Sequence, residues 1–276
     1  GLITDEDTAL ALTLAGTDAD NDSLRFAVVQ QPGNGILGGT GSNLIYTPSA
    51  DYNGSDNFTF KVNDGLVDST IATVSITVNP VNDAPEISSV TITPDNGVTT
   101  STTLTGSATA SDPDGGTPTL SYVWTNQTTS TELGSDSTLA LTPSTVSPGD
   151  VVVLSVTATD INSDADSGTA SVTIGNTLPV ANAGQAQTVD EGTTVTLDGS
   201  ASSDADGDNI EYTWSNAAGI QLSNVNSVNP TFTAPDVTQE TNYTFTLVVN
   251  ESQASSSPAT VVVTVNDVAP VAPTSE

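Results

Sequence analysis

One pattern of about 90 residues occurs three times along the 276-residue chain, and this repetition constrains the fold more than any other feature. Each copy has an alternating stretch, a glycine and an acidic loop that contains Asp-x-Asp. Asp18, Asp112 and Asp204 open these loops, 94 and 92 residues apart. Repeats of this length, built from about seven short alternating stretches, are typical of Ig-like sandwiches. We predict an all-β chain of three tandem Ig-like β-sandwich domains in an extended rod.

The repeat and its linkers also predict the domain boundaries. "NDAP", "NTLP" and "NDVAP" each follow a Val/Thr-rich stretch, which marks the end of a unit. Trp124 and Trp214 occupy matching positions in the second and third units, and we expect both in the core. The predicted segments are 1–83, cadherin-like; 84–178, Ig-like; 179–270, PKD-like; and 271–276, a linker to a following unit.

The charge of the chain excludes several classes of partner. There are 33 acidic residues against two basic ones, Arg25 and Lys61, which gives a net charge of −31. Binding to nucleic acid or to an anionic membrane needs Lys and Arg, so we expect neither. Bound cations would relieve the self-repulsion of so acidic a chain.

The chain has neither His nor Cys, and so lacks the usual nucleophile and base pairs of enzymes. We therefore expect no catalysis. No stretch is long enough to span a membrane as a helix, and none has the features of a signal peptide, so we expect a mature or excised part of a longer protein.

Two segments resemble known families. The stretch "DEDTALALTLAGTDADNDSL", followed by "YTPSADYNGSDNFTFKVNDG" and "VNDAP", resembles the cadherin-like tandem repeats of giant bacterial surface adhesins. The stretch "DEGTTVTLDGSASSDADGDNIEYTW" is similar to the start of PKD-type Ig-like domains. It departs from them after Trp214, where "SNAAG" replaces the family's "FGDG". These resemblances imply a β-sandwich fold in extracellular, calcium-rich surroundings.

The predicted strand order brings acids of the first two units to one junction. Calcium takes six to eight oxygen ligands, largely carboxylates and carbonyls. In cadherins calcium at such junctions stiffens the chain of domains, and the resemblance implies the same role here. The predicted ligands at this first junction are Glu6, Asp7, Asn82, Asp83, Asp112, Asp114 and Asp160.

The acids at the other ends of the units form less complete candidate metal sites. The linker between the second and third units carries Asn176 and no carboxylate, which predicts a weaker or differently built site. The lower end of the second unit offers Asp95 and Asp150 to this site. The metal-ligand candidates elsewhere are Asp204, Asp206, Asp208 and Glu251 above the third unit; Asp190, Glu191, Asn266 and Asp267 below it; and Asp18, Asp20 and Asp64 above the first.

Each acidic loop also has a simpler interpretation as a solvated turn, because Asp, Asn and Gly favour turns. The stretch from Asp204 to Ser215 is not an EF-hand, since Asn209 and Ser215 replace its glycine and its bidentate glutamate.

We predict an extracellular spacer or stalk of a bacterial or archaeal surface adhesin, or a subunit of an extracellular fibre. Calcium at the junctions would rigidify it. The expected partners are identical or similar domains placed head to tail, including a homopolymer, with no membrane insertion. Three alternatives stay open: a module that binds carbohydrate or peptide in a secreted protein, a surface glycan as partner, and a filament built by strand donation.

Overall fold

The computed structural model describes residues 1–269 and contains twenty β-strands and no helix in that range. These residues therefore include no helix that is long and apolar enough to cross a membrane. The predicted linker at 271–276 lies outside the described residues. The predicted class, tandem Ig-like β-sandwiches, is confirmed by the strand content, the sheet orders and the family matches given below. The exact boundaries between the three domains stay a prediction.

The first domain packs a four-stranded sheet against a three-stranded one. The sheet orders are β1-β7-β6-β3 and β2-β5-β4, and β1 pairs with β7 in parallel. The first strand thus adds to the last one, and the two ends of the domain lie side by side. The strands are β1 (Leu2–Asp5), β2 (Leu10–Thr13), β3 (Arg25–Gln30), β4 (Gly35–Thr40), β5 (Asn43–Pro48), β6 (Gly54–Asn63) and β7 (Ala72–Asn79).

The middle domain has sheets of the order β11-β10-β13-β14 and β12-β9-β8. Its first strand, β8, is twice as long as β1 and neighbours β9. The strands are β8 (Glu86–Thr93), β9 (Thr103–Ser111), β10 (Thr119–Asn126), β11 (Thr131–Gly134), β12 (Thr138–Ala140), β13 (Val151–Thr159) and β14 (Ala165–Thr173).

The third domain repeats the parallel pairing of the first. Its sheets have the orders β15-β20-β19-β17 and β16-β18, and β15 runs parallel to β20. An isolated antiparallel bridge joins Val180 to Ser203 ahead of β15. The strands are β15 (Gln187–Asp190), β16 (Thr194–Thr196), β17 (Glu211–Asn216), β18 (Thr231–Thr233), β19 (Thr241–Asn250) and β20 (Ala259–Asn266).

The backbone forms two compact units. The first comprises Gly1–Val90, Ala108–Ser121 and Val156–Gly168, and the second comprises the other described residues. Several strands of the middle domain therefore have residues in both units. The first junction lies wholly within the first unit, and the junction of the middle and third domains lies wholly within the second.

Alternation places the apolar residues of each strand in a thin core, as predicted. Phe58 and Phe60 of β6 are buried, and so are Phe245, Leu247 and Val249 of β19. The side chain of Lys61 points outward and pairs with Asp68 at 2.6 Å. Burial of such side chains supplies most of the stability of a small sandwich.

The two tryptophans are core residues, as predicted, and neither is a sugar platform. Trp124 is 0% exposed and Trp214 is 2% exposed. Each indole N–H donates to a loop carbonyl, of Asp136 at 2.8 Å and of Ser227 at 3.1 Å, so the buried donors are satisfied.

A buried carboxylate anchors the lower loops of the first domain. Asp56 accepts backbone N–H bonds from Gly33, Asn34 and Asn57, and the hydroxyl of Tyr46 donates to it at 2.9 Å. Burial opposes ionisation of Asp56, but these donors outweigh it and lower its pKa. Burial and the adjacent carboxylate raise the pKa of Tyr46.

Candidate functional site

Two sets of acidic residues converge at the first junction. One oxygen from each of Glu6, Asp83 and Asp114 lies within 4.8 Å of the others, and the same holds for Asp7, Asp51 and Asp83. Asp83 belongs to both sets, so the linker between the domains connects two neighbouring groups of carboxylates.

Glu6 is placed by the turn after β1. It is 3% exposed, and its Oε1 accepts the N–H of Val81 at 2.5 Å. Its Oε2 is buried and has no hydrogen-bond partner among the described residues. A buried carboxylate oxygen without a donor is costly, because it has lost water and gained nothing in return.

The linker meets the upper loops of the middle domain by hydrogen bonds. The N–H of Asp83 donates to Asp114 Oδ2 at 2.7 Å. The Asn82 amide donates to Asp160 at 2.7 Å and to Asp164 at 2.8 Å, and accepts from Asn162. The Asn82 bond is the main reason that the pKa of Asp160 lies below its ordinary value.

The electrostatic environment of Asp83 is the opposite of that of Asp160. Its Oδ2 is buried without a partner. Desolvation, followed by the charges of Asp51, Asp114, Asp7 and Glu6, raises its pKa. Like-charged groups held this close disfavour ionisation unless a cation lies between them.

The first junction contains the predicted residues and others that the sequence did not single out as ligands. Asp112 lies at its margin, where its Oδ1 accepts the N–H of Asp114. Asp51 and Asp164 were missed. Asp51 and Asp7 both have a positive φ, 55° and 56°, which brings their side chains to the cluster through tight turns. The spacing Asp160, Asn162, Asp164 matches the acidic-loop pattern, and this signal could have identified Asp164.

The second junction has a different construction, as predicted. One oxygen from each of Asp204, Asp206 and Asp208 lies within 4.8 Å of the others. Asp206 is 6% exposed, and its carboxylate accepts from Thr100 Oγ1 at 2.6 Å and from the N–H of Thr177 at 2.5 Å. Hydrogen-bond donors of the protein thus satisfy Asp206, the most deeply buried acid of this junction.

Unpartnered oxygens border that acid. The amide of Asn176 donates to Glu251 Oε1 at 2.6 Å. Asn176 Oδ1, Asp204 Oδ2 and Glu251 Oε2 are buried with no hydrogen-bond partner in the described chain. The expectation that Asp150 serves this junction is wrong, because Asp150 accepts from Asn126 and from the N–H of Ser147. Thr100 contributes instead, and no acidic pattern indicated it.

The remaining predicted ligands do not form close groups of three acids within residues 1–269. Asp18 accepts the N–H of Asp20 and of Asp22, as in a simple turn. Backbone donors, chiefly the N–H of Val67, lower the pKa of Asp64. Below the third domain, Asn266 donates to Asp190, and Glu191 accepts from Val237 and Val268; Asp267 lines a shallow hollow with Asp190 and Asn266.

Family comparisons agree with this architecture. The model of the bacterial Ig domain matches residues 2–77, and the model of the K319L-like PKD domain matches residues 183–265. The predicted resemblances of the first and third segments are therefore confirmed at the level of bacterial Ig-like and PKD-type domains. The two matches lie in the first and third domains, and the fold class is that of tandem Ig-like domains.

Individual relatives match over short stretches. Integrin beta-like protein B of Dictyostelium discoideum is 33% identical over 109 residues, which are 33% of this chain and 6% of that protein. Chitinase A of Pseudoalteromonas piscicida is 42% identical over 78 residues, 28% of this chain and 9% of that protein. The matches thus span less than a tenth of either relative.

Among solved structures, cadherin domains 3–6 of Protocadherin Gamma B2 match 96% of this chain and 70% of their own. The sequence identity is 13% and the TM-score is 0.43.

Proposed function

We propose that the chain is an extracellular spacer of tandem Ig-like domains that binds calcium at its first junction. It has no catalytic role, and its partners are similar domains or further copies placed head to tail. The observation that carries the calcium assignment is Glu6, a buried carboxylate with an unpartnered oxygen inside a group of acids.

The donor set of the first junction fits calcium. All of its members are oxygens, mostly carboxylates, which suits a hard cation. Glu6, Asp83 and Asp114 would hold one ion, and Asp7, Asp51 and Asp83 a second. Desolvation, and after it repulsion by neighbouring carboxylates, raises the pKa of Asp83, and the positive charge would oppose both effects. The bound ions would connect the turn after β1, the linker and the loop after β9.

The second junction would bind calcium more weakly. Asp204 Oδ2, Glu251 Oε2 and Asn176 Oδ1 are the oxygens that lack partners there, but Asp206 is already bonded to Thr100 and Thr177. A cation adds least where protein donors already compensate the buried charge.

The calcium assignment can be tested by isothermal titration of the metal-free chain with calcium. The Asp83→Asn variant should lose most of the high-affinity heat, with affinity lowered at least about tenfold, because Asp83 belongs to both groups. Asp136→Asn is the matched control, since Asp136 is exposed and contributes only a backbone carbonyl. Equal heats from the wild type and Asp83→Asn would refute the assignment.

The match to a segment of a chitinase makes carbohydrate binding the second candidate. Recognition of sugars commonly needs an exposed aromatic face. All twelve aromatic residues lie within the described range, and every one is buried or half-buried. This favours the spacer. A pull-down on insoluble chitin separates the two functions, and retention of the chain there would favour the carbohydrate-binding role.

A further inference from the structure

The first domain has an open strand edge with an apolar cleft beside it. Strand β2 is the outermost strand of its sheet, and no strand of the described chain pairs with its other edge. A cleft of about 380 Å³ opens along it. The lining residues include Leu2, Leu12, Leu14, Phe60 and Val74. An unpaired edge above an apolar cleft is a ready template for an added strand.

The other two domains cover the equivalent edge with the segment that follows their linker proline. In the middle domain, β8 follows Pro85 and neighbours β9. In the third domain, Val180 follows Pro179 and exchanges two backbone hydrogen bonds with Ser203, at 2.8 and 3.0 Å. Ala181 and Ala183 then pack on the core of that domain.

The acidic loop also helps to hold the linker that leads into each of these two domains. In the middle and third domains, the second Asp of the Asp-x-Asp pair accepts the N–H of the residue two places before the linker proline. Asp114 accepts from Asp83, and Asp206 accepts from Thr177. The corresponding acid of the first domain is Asp20. Its carboxylate accepts no hydrogen bond from residues 1–269.

The chain contains one more segment of the required type. Pro270, Val271 and Ala272 repeat the sequence of Pro179, Val180 and Ala181. Aligning the two prolines places Val271 opposite Thr17, which precedes Asp18 as Ser203 precedes Asp204.

We propose that the segment 270–276 of a second copy adds to the open edge formed by the end of β2 and the residues that follow it up to Thr17, where Thr13, Leu14 and Ala15 line the cleft of the first domain. The added strand would run antiparallel to β2, as Val180 does to Ser203. This deepens the proposed head-to-tail association, on which it rests, and it does not depend on calcium.

The test uses two single-cysteine variants of the 276-residue chain, which otherwise lacks cysteine. One carries Thr17→Cys and the other Val271→Cys. Hydrogen-bonded antiparallel partners lie within disulfide distance. We expect mixing in excess calcium under mild oxidation to give a mixed dimer, well above the self-dimers of each variant alone. Thr47→Cys, on a different strand of the same sheet, replaces Thr17→Cys in the control mixture.

Sedimentation of the unmodified chain and of Ala272→Asp supplies the second measurement. The charged residue should weaken dimerisation about tenfold or more, because Ala272 matches Ala181, which packs on the core of the third domain, and a carboxylate against an apolar core has no partner. If the wild type dimerises but Ala272→Asp dimerises equally and no mixed disulfide forms, the strand-docking site is wrong and head-to-tail association survives. Absence of any dimer at high concentration overturns both the strand-docking site and the head-to-tail association. In a third variant that carries both Thr17→Cys and Val271→Cys, a disulfide formed only within the monomer would also overturn the second-copy proposal.

Discussion

The two junctions use the same acidic loop with different chemistry. At each, the second Asp of the Asp-x-Asp pair accepts a linker N–H, from Asp83 at 2.7 Å or from Thr177 at 2.5 Å. At the first junction the residue that donates this N–H is itself an acid with an unpartnered oxygen. At the second it is a threonine, and a second threonine, Thr100, donates to the same carboxylate.

This difference shows what one substitution in a linker can do. An aspartate adds a possible ligand but also adds repulsion, which a bound cation would relieve. A threonine adds donors, so Asp206 is compensated by hydrogen bonds, while Asp204 Oδ2 and Glu251 Oε2 stay unpartnered. We therefore expect a calcium-dependent first junction and a second junction that depends mainly on hydrogen bonds.

The largest expected effect is that of calcium withdrawal on the first junction. A ligand at about 100 to 1,000 times its Kd stabilises the bound state by about 3 to 4 kcal/mol, which corresponds to a 100- to 1,000-fold change in opening. Hydrogen exchange at the N–H of Val81, which donates to Glu6, should accelerate by that factor in chelator. The N–H of Thr177 should change less than about tenfold. Equal acceleration at both amides would contradict the comparison.

The next largest effect concerns Asp206. Replacing it with alanine leaves the Thr100 and Thr177 donors without their acceptor, and we expect a loss of about 2 to 4 kcal/mol in unfolding free energy, with or without calcium. Calorimetry in chelator measures it.

Asp208→Ala is the matched control, because the Asp208 carboxylate accepts no hydrogen bond in the described chain while belonging to the same group of acids. In chelator it should cost much less than Asp206→Ala. A strong calcium dependence of the Asp206→Ala loss would show that a cation, and not the threonines, compensates this acid.

The repeats made the architecture predictable from the sequence. A fixed period, alternation in β6 and β19, and matching tryptophans require little beyond local pattern. The positions of Glu6, Asp83 and Asp114 followed from strand order, because an Ig-like domain alternates which end each loop occupies.

The detailed chemistry of the junctions was less predictable. Thr100 resembles dozens of other exposed-looking threonines, and only the packed junction shows that it is 1% exposed beside Asp206. Asp51 reaches the first junction through a left-handed turn residue, a backbone property that aspartate permits but does not specify. Acidic spacing alone also could not separate Asp18, which closes a turn, from Asp204, which retains an unpartnered oxygen.

A smaller effect is expected in the titration of two acids at the first junction. The raised pKa of Asp83 means that metal-free stability rises as pH falls through that pKa towards its ordinary value. The lowered pKa of Asp160 acts oppositely, since its contribution is present above the ordinary value and is lost as pH falls through the lowered one. Carboxyl NMR in chelator should resolve the two. Calcium should shift the Asp83 titration to lower pH, and a titration of Asp83 that calcium leaves unmoved would place the ion elsewhere.

The smallest effect is expected in the third copy of the loop, at Asp20. Its carboxylate is exposed and accepts no hydrogen bond within residues 1–269, in contrast to Asp114 and Asp206. In dilute monomer, Asp20→Ala should therefore change the unfolding free energy by no more than about 0.5 kcal/mol, whereas Asp206→Ala should cost several times more. Thermal unfolding of both variants at low concentration measures the contrast. A large loss from Asp20→Ala would mean that the Asp-x-Asp loop stabilises its own domain, and that accepting a linker is not what distinguishes the three copies.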